Sequence, residues 1–263
     1  GEELIVQAAM IGDVASLRDM IEASDEMEDD LGPRDHSFLN TTDSSGHRTL
    51  LHHAAARGHL EFVNLLLADP AVAVNTGDFN DQTPLMAAAA AAEVGVVQRL
   101  LAVPDVMLRS NPPGRGTVLD AVLNGDPGNL RRRPIWDQRR EETMAAVLSA
   151  NSIDALINNV EGDGSPLILA AQNGWLLAMN ALLDVEGIDV NAFRDGERPV
   201  TALSAAAAAG HVECVRALLA RPEIELDFAP GGGSTALMQA ARHDHAAVVS
   251  LLLEAGSNVN HQT

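Results

Sequence analysis

Nine histidines, a single cysteine and a run of three glycines are the residues of this 263-residue chain whose types could do chemistry. A zinc or catalytic centre needs ligands that converge on one point. His52 and His53 are adjacent, so on a helix they point in different directions. His243 and His245 are two apart and again fall on different faces, while His59 and His211 each follow a glycine in a turn. Cys214 has no activating partner in its own stretch and sits at an apolar packing position, which reads as an inert buried thiol. Gly231-Gly232-Gly233 lacks the Lys-Ser/Thr of a phosphate loop and precedes Thr235, so it reads as a turn. No nucleophile–base pair or carboxylate pair emerges. The expectation is a chain that is not an enzyme, with no catalytic residue, no metal and no cofactor.

Composition narrows the partners. Formal charge is −20, which argues against nucleic acid and against an anionic membrane surface. Hydrophobic residues make up 46% and aromatics only 3%, so the chain folds without a ring-dominated core. The longest apolar run, Leu85 to Ala92, is far below the ~20 residues of a membrane span, so no direct membrane insertion is expected. One cysteine permits no intrachain disulfide, and a reducing, intracellular compartment such as the cytoplasm fits best. All 17 basic residues are arginine, and there is no lysine. Either the codon composition favours arginine, or ubiquitin acceptor sites are selected against.

These residues must be positioned by something, and the leucines show what. Ile5, Leu51, Leu85, Leu119, Leu167, Leu203 and Leu237 are equivalent apolar anchors, spaced by 46, 34, 34, 48, 36 and 34 residues. The unit is about 33–34 residues with two insertions. Most copies open with a Thr or Ser two residues before the anchor, the N-cap oxygen of a helix, and Pro84 and Pro166 follow at the first helical position. Paired alanines such as Ala54-Ala55 permit close helix approach, and Gly12, Gly58, Gly125, Gly174 and Gly210 end that helix. A second helix closes on Leu66-Leu67, Leu100-Leu101, Leu182-Leu183, Leu218-Leu219 and Leu252-Leu253. Neither helix buries its stripe alone, so the units must stack.

The copies resemble ankyrin repeats, most fully in Thr235-Ala-Leu, Ala240-Ala241, Val248-Val249-Ser-Leu-Leu-Leu and Glu254-Ala-Gly-Ser-Asn-Val-Asn260. Seven units cover nearly the whole chain, although only His52 keeps the family's histidine after the anchor. The resemblance implies an all-α solenoid of antiparallel helix pairs joined by β-hairpin-like loops. It implies one array over residues 1–263, with repeats near 1–24, 46–77, 78–111, 112–157, 158–191, 192–227 and 228–263. Glu2, Glu3, Gln7 and Asp13 suit a polar N-terminal cap, and the ending after Asn260 suits a piece of a longer protein. Residues 24–45 form an acidic loop insertion, with seven acids against Arg34 between Glu22 and Asp35. Residues 125–140 form an Arg-rich insertion within the fourth repeat.

What the resemblance leaves for function is surface: a concave face built from hairpin tips and the exposed side of each first helix. On it the family's contact positions fall at Arg57, Gln172, Asn173, Arg242 and His243. The tips add Phe79, Asn80 and Asp81, then Phe193, Arg194, Asp195 and Arg198. A secondary candidate is the insertion, with Arg131, Arg132, Arg133, Arg139 and Arg140 around Trp136, a composition suited to a contact hot spot. The function expected is protein–protein recognition by a monomeric array that is part of a longer chain, with a basic surface or segment as the preferred partner. Rival readings are an effector delivered into a host cell, a ubiquitin-pathway adaptor, or the regulatory arm of an enzyme or channel encoded beyond residue 263.

Overall fold

The computed structural model describes residues 2–26, 36–110, 116–125, 138–150, 153–158, 165–196 and 199–261. They fall into two compact units, Gly1–Ala150 and Asn151–Thr263. In the first unit α1 (Glu2–Ile11), α3 (Leu50–Ala56), α5 (Pro84–Ala90) and α7 (Val118–Asn124) pack side by side. Behind them lies a second layer of α2 (Val14–Glu26), α4 (Leu60–Leu66), α6 (Val94–Leu101) and α8 (Gln138–Leu148). The second unit opens with the single turn α9 (Asp154–Ile157). Its first layer is α10 (Pro166–Asn173), α12 (Ala202–Ala209) and α14 (Ala236–Arg242), backed by α11 (Leu176–Leu183), α13 (Val212–Leu219) and α15 (Ala246–Glu254). The fold is all-α. The sheet among the described residues is one short hairpin, β1 (Phe193–Arg194) and β2 (Val200–Thr201), with Phe193 opposite Thr201.

The local chemistry read from the sequence builds these helices. Thr49, Thr83, Thr117, Ser165, Thr201 and Thr235 are all N-caps, each side chain accepting from the amide three residues on. Anchors Ile5, Leu51, Leu85, Leu119, Leu167 and Leu203 are buried, and Leu237 is half-buried. Ala54-Ala55 and Ala170-Ala171 are fully covered, so first helices meet almost backbone to backbone. Where a glycine ends a first helix, it can be required twice over. Gly12 has φ +74°, and a Cβ there would lie 2.7 Å from the ring of His59 in the next copy; Gly174 and His211 repeat the arrangement at 2.7 Å.

In the third copy Ala92 holds this position at φ +56°. A left-handed alanine carries roughly 1–2 kcal/mol of strain. Glycine relieves it but loses about 0.4–1 kcal/mol to unfolded-state entropy. Ala92→Gly is therefore expected to raise stability by roughly 0.5 kcal/mol, seen as a higher denaturant midpoint at unchanged slope.

On the opposite edge an asparagine ladder ties copy to copy. Asn40 donates to Ala71 O at 2.7 Å and accepts from Ala73 N at 2.8 Å. Asn75, Asn158 and Asn191 hold the next loop in the same two-pronged way. Asp227 takes the place further on, accepting from Asn258 N.

Both insertions are narrower than the sequence implies. The acidic loop was expected over 24–45, but α2 runs to Glu26, and the array resumes by His36 with the 3-10 turn Ser37–Asn40 and buried Leu39. Thr42 then bridges Thr49, so the second copy's hairpin begins before residue 46. The Arg-rich insertion was expected to reach residue 140. Instead Arg139 and Arg140 lie in α8, which starts at Gln138, and Arg140 is buried. Arg131, Arg132, Arg133, Trp136 and Arg198 lie outside the described residues.

Candidate functional site

In the first unit the surface is built outward from Asp43. Its carboxylate accepts from the amides of Gly46 and Arg48 at 2.8 and 3.1 Å, closing the hairpin that leads into α3. It also accepts from His53 Nε2 at 2.9 Å, so the hairpin is tied to the exposed side of the helix. On the other side of that ring, Arg57 Nη1 lies 3.3 Å from His53 Nδ1. Asp43, His53 and Arg57 form one chain, with the exposed Arg57 at its outer end. The same hairpin places His47 at its tip with φ +56°. Phe79, from the next tip, stacks on that imidazole at 4.8 Å and 20°, and Phe79 N donates to Gly46 O at 3.0 Å. Phe79 keeps 62% of its surface in solvent. Exposed Asn80 follows it, and Asp81 turns the chain at φ +58°.

The structure thus places Phe79, Asn80 and Asp81 on one hairpin tip and links Arg57, at the end of α3, to the neighbouring hairpin through His53 and Asp43. It adds His47 and Asp43, which the sequence does not mark, and His53, which the sequence marks only as pointing away from His52. The two adjacent histidines do point apart: His52 Nε2 donates inward to Gln82 O at 2.9 Å. Burial holds both imidazoles below the ordinary 6.5, against the pull of Gln82 O on His52 and of Asp43 on His53. Burial raises Asp43, but the Gly46 and Arg48 amides, the His53 charge and Ser45 outweigh it and hold the carboxyl below 3.8.

All three shifts have the same sign for folding. The folded unit binds fewer protons than the unfolded chain once pH falls below 6.5, so stability is full above that value and declines beneath it. Asp43 adds a further loss as pH falls through the carboxylate range. Thermal unfolding followed from pH 7.5 to 4.5 is expected to show a falling midpoint, with a flatter slope in His53→Gln. A level profile in the parent chain would contradict the assignment.

Phe193 of the second unit and Phe79 of the first do not occupy corresponding tip positions. Phe79 follows Asp78 by one residue, whereas Phe193 precedes Asp195 by two and lies in β1. Phe193 is 37% exposed and meets Phe228 of the next loop edge-on at 5.8 Å. Arg194 is half-buried in the same strand, while Asp195 is exposed and accepts from Gly196 N. Gln172 is exposed at the end of α10, and the half-buried Asn173 folds back onto Leu169 O at 2.8 Å. Arg242 and His243 are exposed at the end of α14. His243 and His245 were expected on different faces; they straddle the turn between α14 and α15, and their rings stack at 6.3 Å.

The far ends of the first helices are sealed. His59 Nε2 donates to Met10 O, His211 Nε2 to Gln172 O and His245 Nε2 to Ala208 O, at 3.1, 3.2 and 3.0 Å. Each acceptor is the residue five after the anchor of the preceding copy. In the fourth copy Arg140 does this work: Nη2 donates to Ala90 O at 2.7 Å and Nη1 to Val122 O. Ala90 is buried, and its carbonyl is taken up by Arg140. Arg140 is itself buried, which removes it from the secondary contact set, and Arg139 pairs with Glu93 at 2.8 Å. Cys214 is buried in α13, and burial pushes its thiol up to about 11.

A family model of ankyrin repeats matches residues 5–110, 142–225 and 167–263. The chain belongs to the ankyrin repeat family. It is 27% identical over 237 residues to "Ankyrin repeat and KH domain-containing protein mask-1" of Caenorhabditis elegans, covering 79% of this array and 8% of that protein. It is 30% identical over 198 residues to "Probable E3 ubiquitin-protein ligase XBOS32" of Oryza sativa subsp. japonica, covering 70% and 38%. To "Ankyrin repeat domain-containing protein SAT10" of Stachybotrys chartarum it is 32% identical over 199 residues, covering 69% and 10%. The array thus spans less than two-fifths of the length of each of these relatives. Ankyrin repeats are protein–protein interaction modules, and no helix among the described residues is long and apolar enough to cross a membrane.

Proposed function

We infer that this ankyrin array recognises a partner protein through the hairpin side of its first unit, with Phe79 as the anchor. The observation that carries the reading is the stack of Phe79 on His47. A phenylalanine 62% exposed, yet fixed by a ring beneath it and a backbone bond beside it, is ready to enter a partner's pocket with little ordering left to lose. Arg57, braced through His53 to Asp43, supplies a charged contact on the same side. In the second unit Phe193, Arg194, Asp195, Gln172, Asn173, Arg242 and His243 are the corresponding set. The net charge of −20 favours a partner with a basic surface, so binding weakens as salt rises. The test is to capture a partner with the full chain and measure its affinity for Phe79→Ala, for Phe193→Ala and for a chain lacking residues 126–137. The proposal expects the first two to bind weakly and the third to bind as the parent does. The reverse pattern would move the site to the insertion.

A second reading is an adaptor in ubiquitin transfer. It is supported by the relative named a probable E3 ubiquitin-protein ligase and by the lysine-free sequence.

A further inference from the structure

We propose that the side chains of this array are kept free of primary amines so that it works within reach of a ubiquitin-charged enzyme without itself being modified on them. This rests on the reading that the array binds a partner protein, and it names the setting in which it does so.

Among the described residues, the fold does not ask for arginine at every basic position. Arg140 needs the guanidinium fork, because it serves two buried carbonyls at once. Three arginines on second helices make no such demand. Arg216 is 60% exposed and pairs with Glu213 at 3.7 Å, a solvent-screened contact that an ammonium makes equally well. Arg99 donates one bond, from Nε to Asn64 Oδ1 at 2.8 Å, and Arg18 is simply exposed. Lysine matches arginine in helix propensity and is among the commonest residues of soluble chains. At these sites the two differ chiefly in nucleophilicity.

That difference is the chemistry of ubiquitin transfer. A lysine amine attacks the carbonyl carbon of the thioester at the ubiquitin C-terminus. The C–S bond breaks, the enzyme's cysteine leaves as thiolate, and the proton lost by the amine returns it to thiol as the isopeptide C–N bond forms. The guanidinium cannot follow this course, because it stays protonated with its lone pairs delocalised. The only thiol in the chain, Cys214, is closed off in the core.

The experiment places Arg18, Arg99 and Arg216 together as lysines in the full chain (R18K/R99K/R216K), conserving charge and leaving the proposed binding residues untouched. Parent and variant, shown to unfold at the same temperature, are incubated in a eukaryotic cell extract with tagged ubiquitin and ATP. A second arm adds a large excess of unlabelled parent array, which competes for the partner and offers no lysine. The expected result is no ubiquitin on parent side chains, a ladder on the variant, and at least a fivefold loss of that ladder under competition. A variant without a ladder, or a ladder that the competitor leaves unchanged, overturns the proposal, the second outcome making the arginine bias compositional. Failure of the binding-face reading would be seen separately, as undiminished affinity in Phe79→Ala and Phe193→Ala.

Discussion

Phe79→Ala is expected to weaken capture of a partner by at least roughly tenfold while leaving the unfolding temperature almost unchanged. The two halves of that expectation come from one geometry. A buried aromatic anchor truncated to alanine costs about 2 kcal/mol or more of binding, whereas positions on the rim cost little. Phe79 in the free chain rests one ring face on His47 and leaves the rest in water, so removing it uncovers little that folding had buried. Phe193 should give a smaller separation of the two effects, because it already packs against Phe228 and is 37% exposed. His47→Ala is the informative companion. It takes away the support and not the anchor, so an intermediate loss of affinity is expected. Titration calorimetry with the captured partner checks the affinities, and a thermal melt of each free variant checks the other half. Equal affinity in all three variants would remove the tips from the site.

The sequence made the scaffold legible because its determinants are local. Where they occur, the Thr or Ser two residues before the anchor, the proline at the first helical turn and the glycine after the helix act within their own copy, and they do what their types suggest. The candidate surface was legible only in part, because its contacts join residues a whole repeat apart. Nothing near His47 marks it as the seat for Phe79, and nothing near Asp43 marks it as the brace of His53. The asparagine ladder is likewise invisible within one copy, because each rung joins loops a whole repeat apart. An insertion hid Arg140. The repeat puts its sealing histidine eight residues after the anchor, while the fourth copy supplies an arginine beyond an insertion and from a helix three residues longer at its start than the pattern suggests.

Arg140 gives the other large effect, and it falls on stability. Its guanidinium is buried and donates to Ala90 O and Val122 O, two carbonyls walled in by α5, α7 and α8. Hydrogen bonds from a charged donor contribute about 1.5–3 kcal/mol each, and an acceptor stranded in the core costs about 1–3 kcal/mol. Arg140→Ala is therefore expected to lower the stability of the first unit by roughly 3 kcal/mol, a drop in Tm of about 10 °C for a unit of this size. Arg140→Met tests the cause, since it keeps the length of the stem and removes the fork. It should recover little, because the loss lies in the unpaired carbonyls. Arg140→Lys, able to reach one carbonyl at most, should fall between. Arg139→Ala provides the contrast one residue away: its pair with Glu93 is 58% exposed on the arginine side and contributes less than ~1 kcal/mol. Should Arg140→Ala instead leave the melt unchanged and weaken partner binding, the arginine would be a contact residue after all, and the fourth copy would be closed by some other group.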